Sequence, residues 1–341
     1  MKFLGTIVIA VLVFALLASG CTPAAQPTGQ GAKEKTTMAV GGVGALLYIQ
    51  ATLAKQLGYF DQEGLDVEVS DFKGGAESAQ ALIGGSSEFA SMSVEHIIKA
   101  KPKGVDLTLL ALYTRYPAMT LIVGDKYKDQ IKGVADLKGK KVGVTSLGSG
   151  THMALNAILA KNGLPTNAVE LVGVGSTTMP PALEQGSIVA AMNADPFVTK
   201  LLLAKKAYVL VDLTTKKDTE AVYGSDYPFT GLATRAEVVK NKPQLVQKMT
   251  SAIVKTNKWI AEHSAKEIAD KMPPEFKPDE QVYIASLEHT KEALSPDGKV
   301  NPKAIETVIK SLQEVNTIPA DAKIDPASIY DMSFAEKALK K

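Results

Sequence analysis

Asp136 to Gly150, DLKGKKVGVTSLGSG, is the stretch from which the architecture follows. Lys141 to Thr145 is a short apolar strand pattern, and Ser146-Leu147-Gly148-Ser149-Gly150 is a tight turn of glycine and hydroxyl residues. Met153 to Lys161 continues with helical spacing and stops at Asn162-Gly163, a C-cap signal. A strand that enters a helix through a Gly-rich turn is one step of a βαβ unit, and such units build a mostly parallel sheet.

Outward from this stretch the same cycle recurs. Downstream, Val169 to Val172 and Ile188 to Met192 are strands flanking a helix at Pro181 to Glu184; they end in Gly173-Val174-Gly175-Ser176 and Asn193-Ala194-Asp195-Pro196. Upstream, Thr37 to Val40 runs into Gly41-Gly42-Val43-Gly44 and a helical stretch to Leu57. Leu65 to Val69, Glu88 to Met92 and Leu107 to Leu112 are further strands; Gly74-Gly75 opens a helix to Ile83, and Ser93 is an N-cap candidate. After Tyr227 the chain becomes helical, at Lys242 to His263, Ala265 to Lys271, Glu280 to Glu292 and Pro302 to Glu314. The expected fold class is α/β, with one lobe from 36–122 plus 228–341 and a second from 123–227. The expected hinge crossings lie near Leu121 to Gly124 and Tyr227 to Ala233, and the helical tail is expected to pack on the first lobe.

The N-terminus reads as an export signal. Met1-Lys2 is a positive start, and Ile7 to Leu17 is an apolar run of about 11 residues, too short to span a bilayer. Ala18-Ser19-Gly20 then precedes Cys21, the only cysteine of the 341 residues, so no internal disulfide is available. Thr22 to Lys35 is rich in Pro, Gly and small residues and reads as a flexible tether. The expected division is a signal peptide at 1–20 and a tether at 21–35. The net charge of +2, from 38 basic and 36 acidic residues, gives no basic excess for nucleic acid.

Ligands in open α/β sheets bind outside the carboxyl ends of strands, where glycine admits close backbone approach and helix N-termini favour negative charge. The turns at those ends nominate Gly42, Gly44, Tyr48, Gly75, Ser93, Arg115, Tyr116, Ser149, Thr151, His152, Ser176, Asn193 and Asp195 as ligand-binding residues. Arg115 is a candidate bidentate anchor for a carboxylate or sulfonate, and Tyr48, Tyr113 and Tyr116 are candidates for an aromatic wall. The bland alternatives stay open: turn formers and N-caps for the glycines and hydroxyls, a surface arginine, and tyrosines that only pack the lobes.

Three stretches together resemble the type II periplasmic-binding-protein fold, in the nitrate, sulfonate, taurine and thiamine-precursor group of solute-binding proteins. They are Ala54 to Phe60 with Glu63 to Glu68; Asp136 to Lys141 with Gly148-Ser149-Gly150; and Ala182 to Gly186 with Asp195-Pro196. The resemblance covers about Thr36 to Asp270. It implies a two-lobed clamshell that closes on a small organic ligand, anionic and sulfonate- or carboxylate-like, or thiamine-precursor-like. It also implies delivery to an ABC permease whose ATPase is a separate chain. Gly143 and Gly148 have P-loop spacing, but Ser149-Gly150 stands where Lys and Ser/Thr are needed. Ala18 to Cys21 resembles a bacterial lipobox, which implies a lipid on Cys21 and a place on the outer face of the cytoplasmic membrane, or on the periplasmic side in a Gram-negative host.

No cofactor or metal is expected, because His96, His152, His263 and His289 form no H-x-x-x-H or H-E-x-x-H pattern. The expectation is a monomer and not an enzyme, since no G-x-S-x-G elbow occurs. His96, His263 and His289 read as surface residues, and His152 as a ligand candidate at a helix start. A sensory binding protein feeding a membrane receptor, and a thiamine-precursor or menaquinone enzyme on the same fold, are the alternatives.

Overall fold

The computed structural model describes residues 32–340, so the signal-like segment and Cys21 lie outside the described residues. In chain order the first part is β1 (Glu34–Val40), α1 (Ile49–Gln56), α2 (Tyr59–Gln62), β2 (Leu65–Asp71), α3 (Gly75–Ile83), β3 (Phe89–Ser93), α4 (Val94–Ala100) and β4 (Leu107–Thr114). The middle is β5 (Met119–Gly124), β6 (Lys141–Val144), α5 (Gly150–Lys161), β7 (Glu170–Gly173), α6 (Met179–Gln185), β8 (Ala190–Ala194), α7 (Phe197–Leu203), β9 (Ala207–Asp212) and α8 (Lys216–Tyr223). The last part is β10 (Thr230–Arg235), α9 (Ala236–Asn241), α10 (Pro243–Glu262), α11 (Ala265–Lys271), α12 (Glu280–Thr290), α13 (Pro302–Glu314) and α14 (Ser333–Leu339).

Two five-stranded sheets result, in the orders β2-β1-β3-β10-β4 and β7-β6-β8-β5-β9. Each is mixed: β10 runs antiparallel to β3 and β4, and β5 antiparallel to β8 and β9. In each lobe the antiparallel strand is the one that enters directly from a crossing, which a count of βαβ units does not anticipate. The first crossing is Arg115 to Ala118, earlier than the expected Leu121 to Gly124, because Leu121 to Gly124 is buried strand in β5. The start of the fold also moves: β1 begins at Glu34, so Glu34 and Lys35 pair with Leu65 and Asp66.

The strands nearest the centre carry no solvent face, with every residue of β3, β5 and β8 buried. Their apolar runs fit strands covered on both sides by helices. The tail is built by local signals. Ser264 and Glu267 form a capping box on α11, Asp279 caps α12, and Asn301 caps α13 with Pro302 at its first turn. The apolar face of α10 buries Leu245, Val246, Met249 and Ile253, each worth roughly 1.5–3 kcal/mol of transfer free energy.

The tail does not serve the first lobe alone. Ile268, Tyr283 and Leu287 of α11 and α12 pack with Leu46, Ile49 and Leu53 of the first lobe. The same α12 contacts α7 of the second lobe. A buried polar network completes the seating: Gln50 Nε2 donates to Tyr113 O and to Asn257 Oδ1, both at 3.0 Å, and Asn257 Nδ2 donates to Leu112 O at 2.8 Å. It ties α1, and with it the neighbouring Tyr48, to β4 and α10.

Candidate functional site

The carboxyl ends of β1, β2 and β3 face those of β6, β7 and β8, and the lobes are closed on one another. Leu46 N donates across the gap to Asp195 O at 2.8 Å. At the bottom lies a chamber of about 20 Å³ lined by Tyr48, Gly75, Gly150, Thr151, Ser176 and Asn193, among others. That is room for roughly one water. Ala45, Thr145 and Ser176 continue from it into an outer groove of about 730 Å³, whose walls include Gly42, Gly44, Phe72, Lys73, Glu77 and Phe197.

Two helices from opposite lobes start on the chamber. Gly75 opens α3 and Gly150 opens α5, and both residues line it. The first N–H groups of a helix have no partner within it, so each start offers donors and a positive dipole end. No side chain caps α3, whereas Ser149 caps α5 at the third residue, His152, and leaves the N–H groups of Gly150 and Thr151. Close approach is built from glycine. A Cβ on Gly41 would stand 2.6 Å from Gly75 N, and one on Gly150 would stand 2.5 Å from a ring carbon of Phe229. Gly42 has φ +111°, a conformation that other residues avoid.

The candidates nominated from sequence separate by task. Tyr48, Gly75, Thr151, Ser176 and Asn193 lie on the chamber, and Gly42, Gly44 and Ser176 on the groove. Asn193 is spent on shaping it: Nδ2 donates to Ser176 O at 3.1 Å and Oδ1 accepts from Ala194 N at 2.9 Å. Ser149, Thr145 and Thr151 form a hydroxyl triangle with distances of 2.8 to 3.0 Å. Gly148 N donates to His152 Nδ1 at 2.8 Å. Ser149 therefore caps α5, and the His152 ring holds the turn that precedes it. Ser93 is buried beside Gly150, and its hydroxyl meets no hydrogen-bond partner of good geometry among the described residues.

Three candidates stand elsewhere. Arg115 is exposed at the crossing, its Nε donating to Glu292 O at 3.0 Å and its guanidinium lying 5.4 Å from the Tyr116 ring centroid. Tyr116 is buried beneath it and, like Arg115, lies outside both cavities. Asp195 is consumed by Thr199 N at 2.8 Å, Thr290 Oγ1 at 3.1 Å and His289 Nδ1 at 2.7 Å.

Two histidines correct their surface assignment. His289 is half-buried between Asp195 and Asp212, and hydrogen bonds to both carboxylates push its pKa up to about 10. His96 is 6% exposed, with Nε2 unpaired and 3.2 Å from the Cβ position of Gly75. Burial, with Lys99 beside it, pushes His96 down to about 3 and keeps it neutral. Glu95, its neighbour, is fully buried; Tyr227 OH donates to Oε1 at 2.7 Å while Oε2 has no partner among the described residues. Burial raises Glu95 to about 7, against the opposing pull of Tyr227 and Lys99. Glu95 and His96 sit on the short helix α4, against which α13 of the tail packs.

A family model described as NMT1/THI5 like matches residues 48–267. The chain is 24% identical over 286 residues to a protein of Bacillus subtilis (strain 168) bearing the name of a binding protein, YtlA; the match spans 81% of this chain and 82% of that one. A solved structure from Bordetella bronchiseptica RB50 is 36% identical and superposes with a TM-score of 0.86, covering 91% of this chain and 98% of that one. The alkanesulfonate-binding protein SsuA of Xanthomonas axonopodis pv. citri, solved with bound MOPS, is 18% identical with a TM-score of 0.69, covering 89% of this chain and all of the other; it shares the fold.

Proposed function

This chain belongs to the NMT1/THI5-like family, and from that premise we propose that it is the solute-binding component of an ABC importer that captures a small organic anion. The observation that carries the reading is the convergence of the α3 and α5 starts, from opposite lobes, on one chamber. Paired helix N-termini suit a sulfonate or carboxylate head, which accepts hydrogen bonds and carries negative charge, and the one-water chamber of the closed form must widen as the lobes part to admit it. Tyr48 and Ser176 add hydroxyl donors at the same place. No lysine or arginine lines the chamber, so the head is held by backbone dipoles and hydroxyls rather than by a counter-ion. Phe72 and Phe197 in the outer groove offer apolar faces for the organic body.

The wider reading follows from this one. The lobes, 34–114 with 230–340 and 119–223, hinge about two crossings and close on the solute, which passes to a permease driven by a separate ATPase. Cys21 carries the lipid that holds the protein at the outer membrane face, and the residues between it and β1 form its tether. The test is a thermal-shift and calorimetry panel of alkyl and aryl sulfonates and carboxylates, with amines and neutral analogues beside them. A ligand that binds only the folded protein raises its melting temperature. One anionic class giving one-to-one binding supports the reading; a response confined to amines or neutral compounds overturns it.

A further inference from the structure

Beside the solute groove, a trough of about 330 Å³ lies between α3 and α4. Helical spacing sets its walls, since residues three, four and seven apart share one face of a helix. On that spacing α3 presents Ala76, Ala79 and Ile83 to the trough. The opposite wall is His96, Lys99 and Ala100 of α4, with Lys103 from the turn that follows. Ala79 and Ala100 are buried, and their small side chains leave open the space that larger ones would fill. Leu147 of the other lobe, 62% exposed, borders both the trough and the groove. The volume lies at the lower end of the roughly 300–1,000 Å³ that small-molecule sites occupy.

The charge in the trough has one sign. Lys99 and Lys103 line it and no acidic residue does, and neither lysine makes a salt bridge among the described residues. Lys99 is half-buried, and Gly148 O takes one of its three N–H donors at 3.0 Å, which leaves two. Burial holds the Lys99 pKa below the ordinary lysine value; Glu95 one turn back opposes this, and Lys103 adds to it. A partly desolvated ammonium with no ion-pair partner is the situation that a bound anion relieves. His96 adds a neutral polar group: it is 6% exposed, borders the trough, and has no partner for Nε2 among the described residues. Unpaired buried polar atoms are few in folded proteins, and each carries a cost that a ligand or an ordered water removes.

We propose that this trough is a second binding site, separate from the solute chamber, for a small organic anion with an apolar body. The anionic group sits between Lys99 and Lys103, and the body covers Ala76, Ile83 and Leu147. An inorganic anion would leave the apolar wall uncovered, and an amine would meet two like charges. Leu147 and Gly148 belong to the other lobe, so the occupant touches both. The site goes beyond solute capture and does not depend on it.

The test uses the full chain with Cys21→Ser, labelled at its alanine and isoleucine methyl groups, and benzoate as the probe in a nuclear magnetic resonance titration. The methyl groups of Ala79, Ile83 and Ala100 report the trough, and those of Ala45 and Ala194 report the solute chamber. Benzoate should shift the trough signals to saturation. Acetate, which lacks the body, and benzylamine, which reverses the charge, should bind there at least tenfold more weakly. Lys99→Met combined with Lys103→Met should weaken benzoate at the trough at least tenfold. Gln80→Trp, at an exposed α3 position on the trough, keeps both charges, fills the space and should have the same effect. No saturable shift at Ala79, Ile83 and Ala100, equal binding of benzylamine, or full benzoate affinity in either variant overturns the site. A variant that fails to melt cooperatively is set aside for the other, since one removes charge and the other removes space. Shifts confined to Ala45 and Ala194 would overturn the trough and support solute capture, so the two readings fail separately.

Discussion

His289 Nδ1 stands 2.7 Å from Asp195 Oδ2, and through Nε2 the same ring reaches Asp212 Oδ2 at 2.9 Å. One imidazole from α12 thus binds the ends of β8 and β9 to the tail. Asp195 O in turn receives Leu46 N from the first lobe, so the ring braces a turn on which the cleft closes.

Its effect on stability has a definite pH window. The folded protein keeps the His289 proton to about pH 10, whereas the ordinary value is 6.5. The stabilisation is complete below about pH 6.5 and is lost as pH rises through 10. With solvent screening of a partly exposed ring, His289→Gln should cost about 2 kcal/mol at pH 6. Urea midpoints should show the variant below the parent at pH 6 and level with it above pH 10.5. A gap that persists at pH 10.5 would mean that the ring matters by packing and not by charge.

Glu95 gives a slope of the same sign in a lower pH window. Its raised pKa, about 7 against an ordinary 4.5, means that the folded state holds the proton more tightly than the unfolded chain. Stability therefore falls as pH rises from about 4.5 to 7, by roughly 3 kcal/mol in all. Glu95→Gln removes the titration and keeps an acceptor for Tyr227, so its stability curve should be flatter than the parent's across that range. Parallel curves from guanidinium melts at pH 5, 6, 7 and 8 would refute the assignment.

The alternation of apolar runs with Gly-rich turns made most of the fold legible, and α11 and α13 span the Ala265 to Lys271 and Pro302 to Glu314 read from helical spacing. The chamber residues Tyr48, Gly75, Thr151, Ser176 and Asn193 were legible for the same reason, since each stands on or just after a turn at a strand's carboxyl end. What failed was anything decided by distant partners. His289 reads as an exposed helical residue until Asp195 and Asp212, each more than seventy residues away, are folded against it. β5 reads as a crossing because its burial comes from β8 and β9 on either side. Arg115 reads as an anion anchor from its charge and flanking tyrosines, which say nothing of the surface position that the fold gives it.

Arg115 now carries a prediction of no effect. It contacts the Glu292 carbonyl at the surface and lies outside both cavities. Arg115→Ala should leave affinity for any anionic ligand found in the panel within twofold. Its stability should change by no more than about 1 kcal/mol, since the bond is exposed. A tenfold loss by calorimetry would return Arg115 to the site.

Cys21→Ser should move the protein from the membrane to the soluble fraction of its host. Lipid is the proposed link to the bilayer, and no helix among the described residues is long and apolar enough to cross one. A variant that still sediments with membranes after a high-salt wash removes the anchor from the account.

Gly41→Ala tests the site's closeness most directly. The new Cβ would meet Gly75 N at 2.6 Å and Gly75 Cα at 2.7 Å, both backbone atoms that cannot swing aside. Relief requires the end of β1 and the start of α3 to part. Overpacking of this kind costs about 1–3 kcal/mol. The displaced α3 N–H groups would also lose their aim into the chamber, so ligand affinity should fall more than stability alone explains. Gly133→Ala is the control: nothing lies within 4 Å of its Cβ position, and its backbone is extended at φ −152°. That variant should stay within about 0.5 kcal/mol of the parent. Equal melts and equal affinities for the two variants would show that the lobe tolerates a methyl group at Gly41, and that the approach of β1 to α3 does not set the geometry of the chamber.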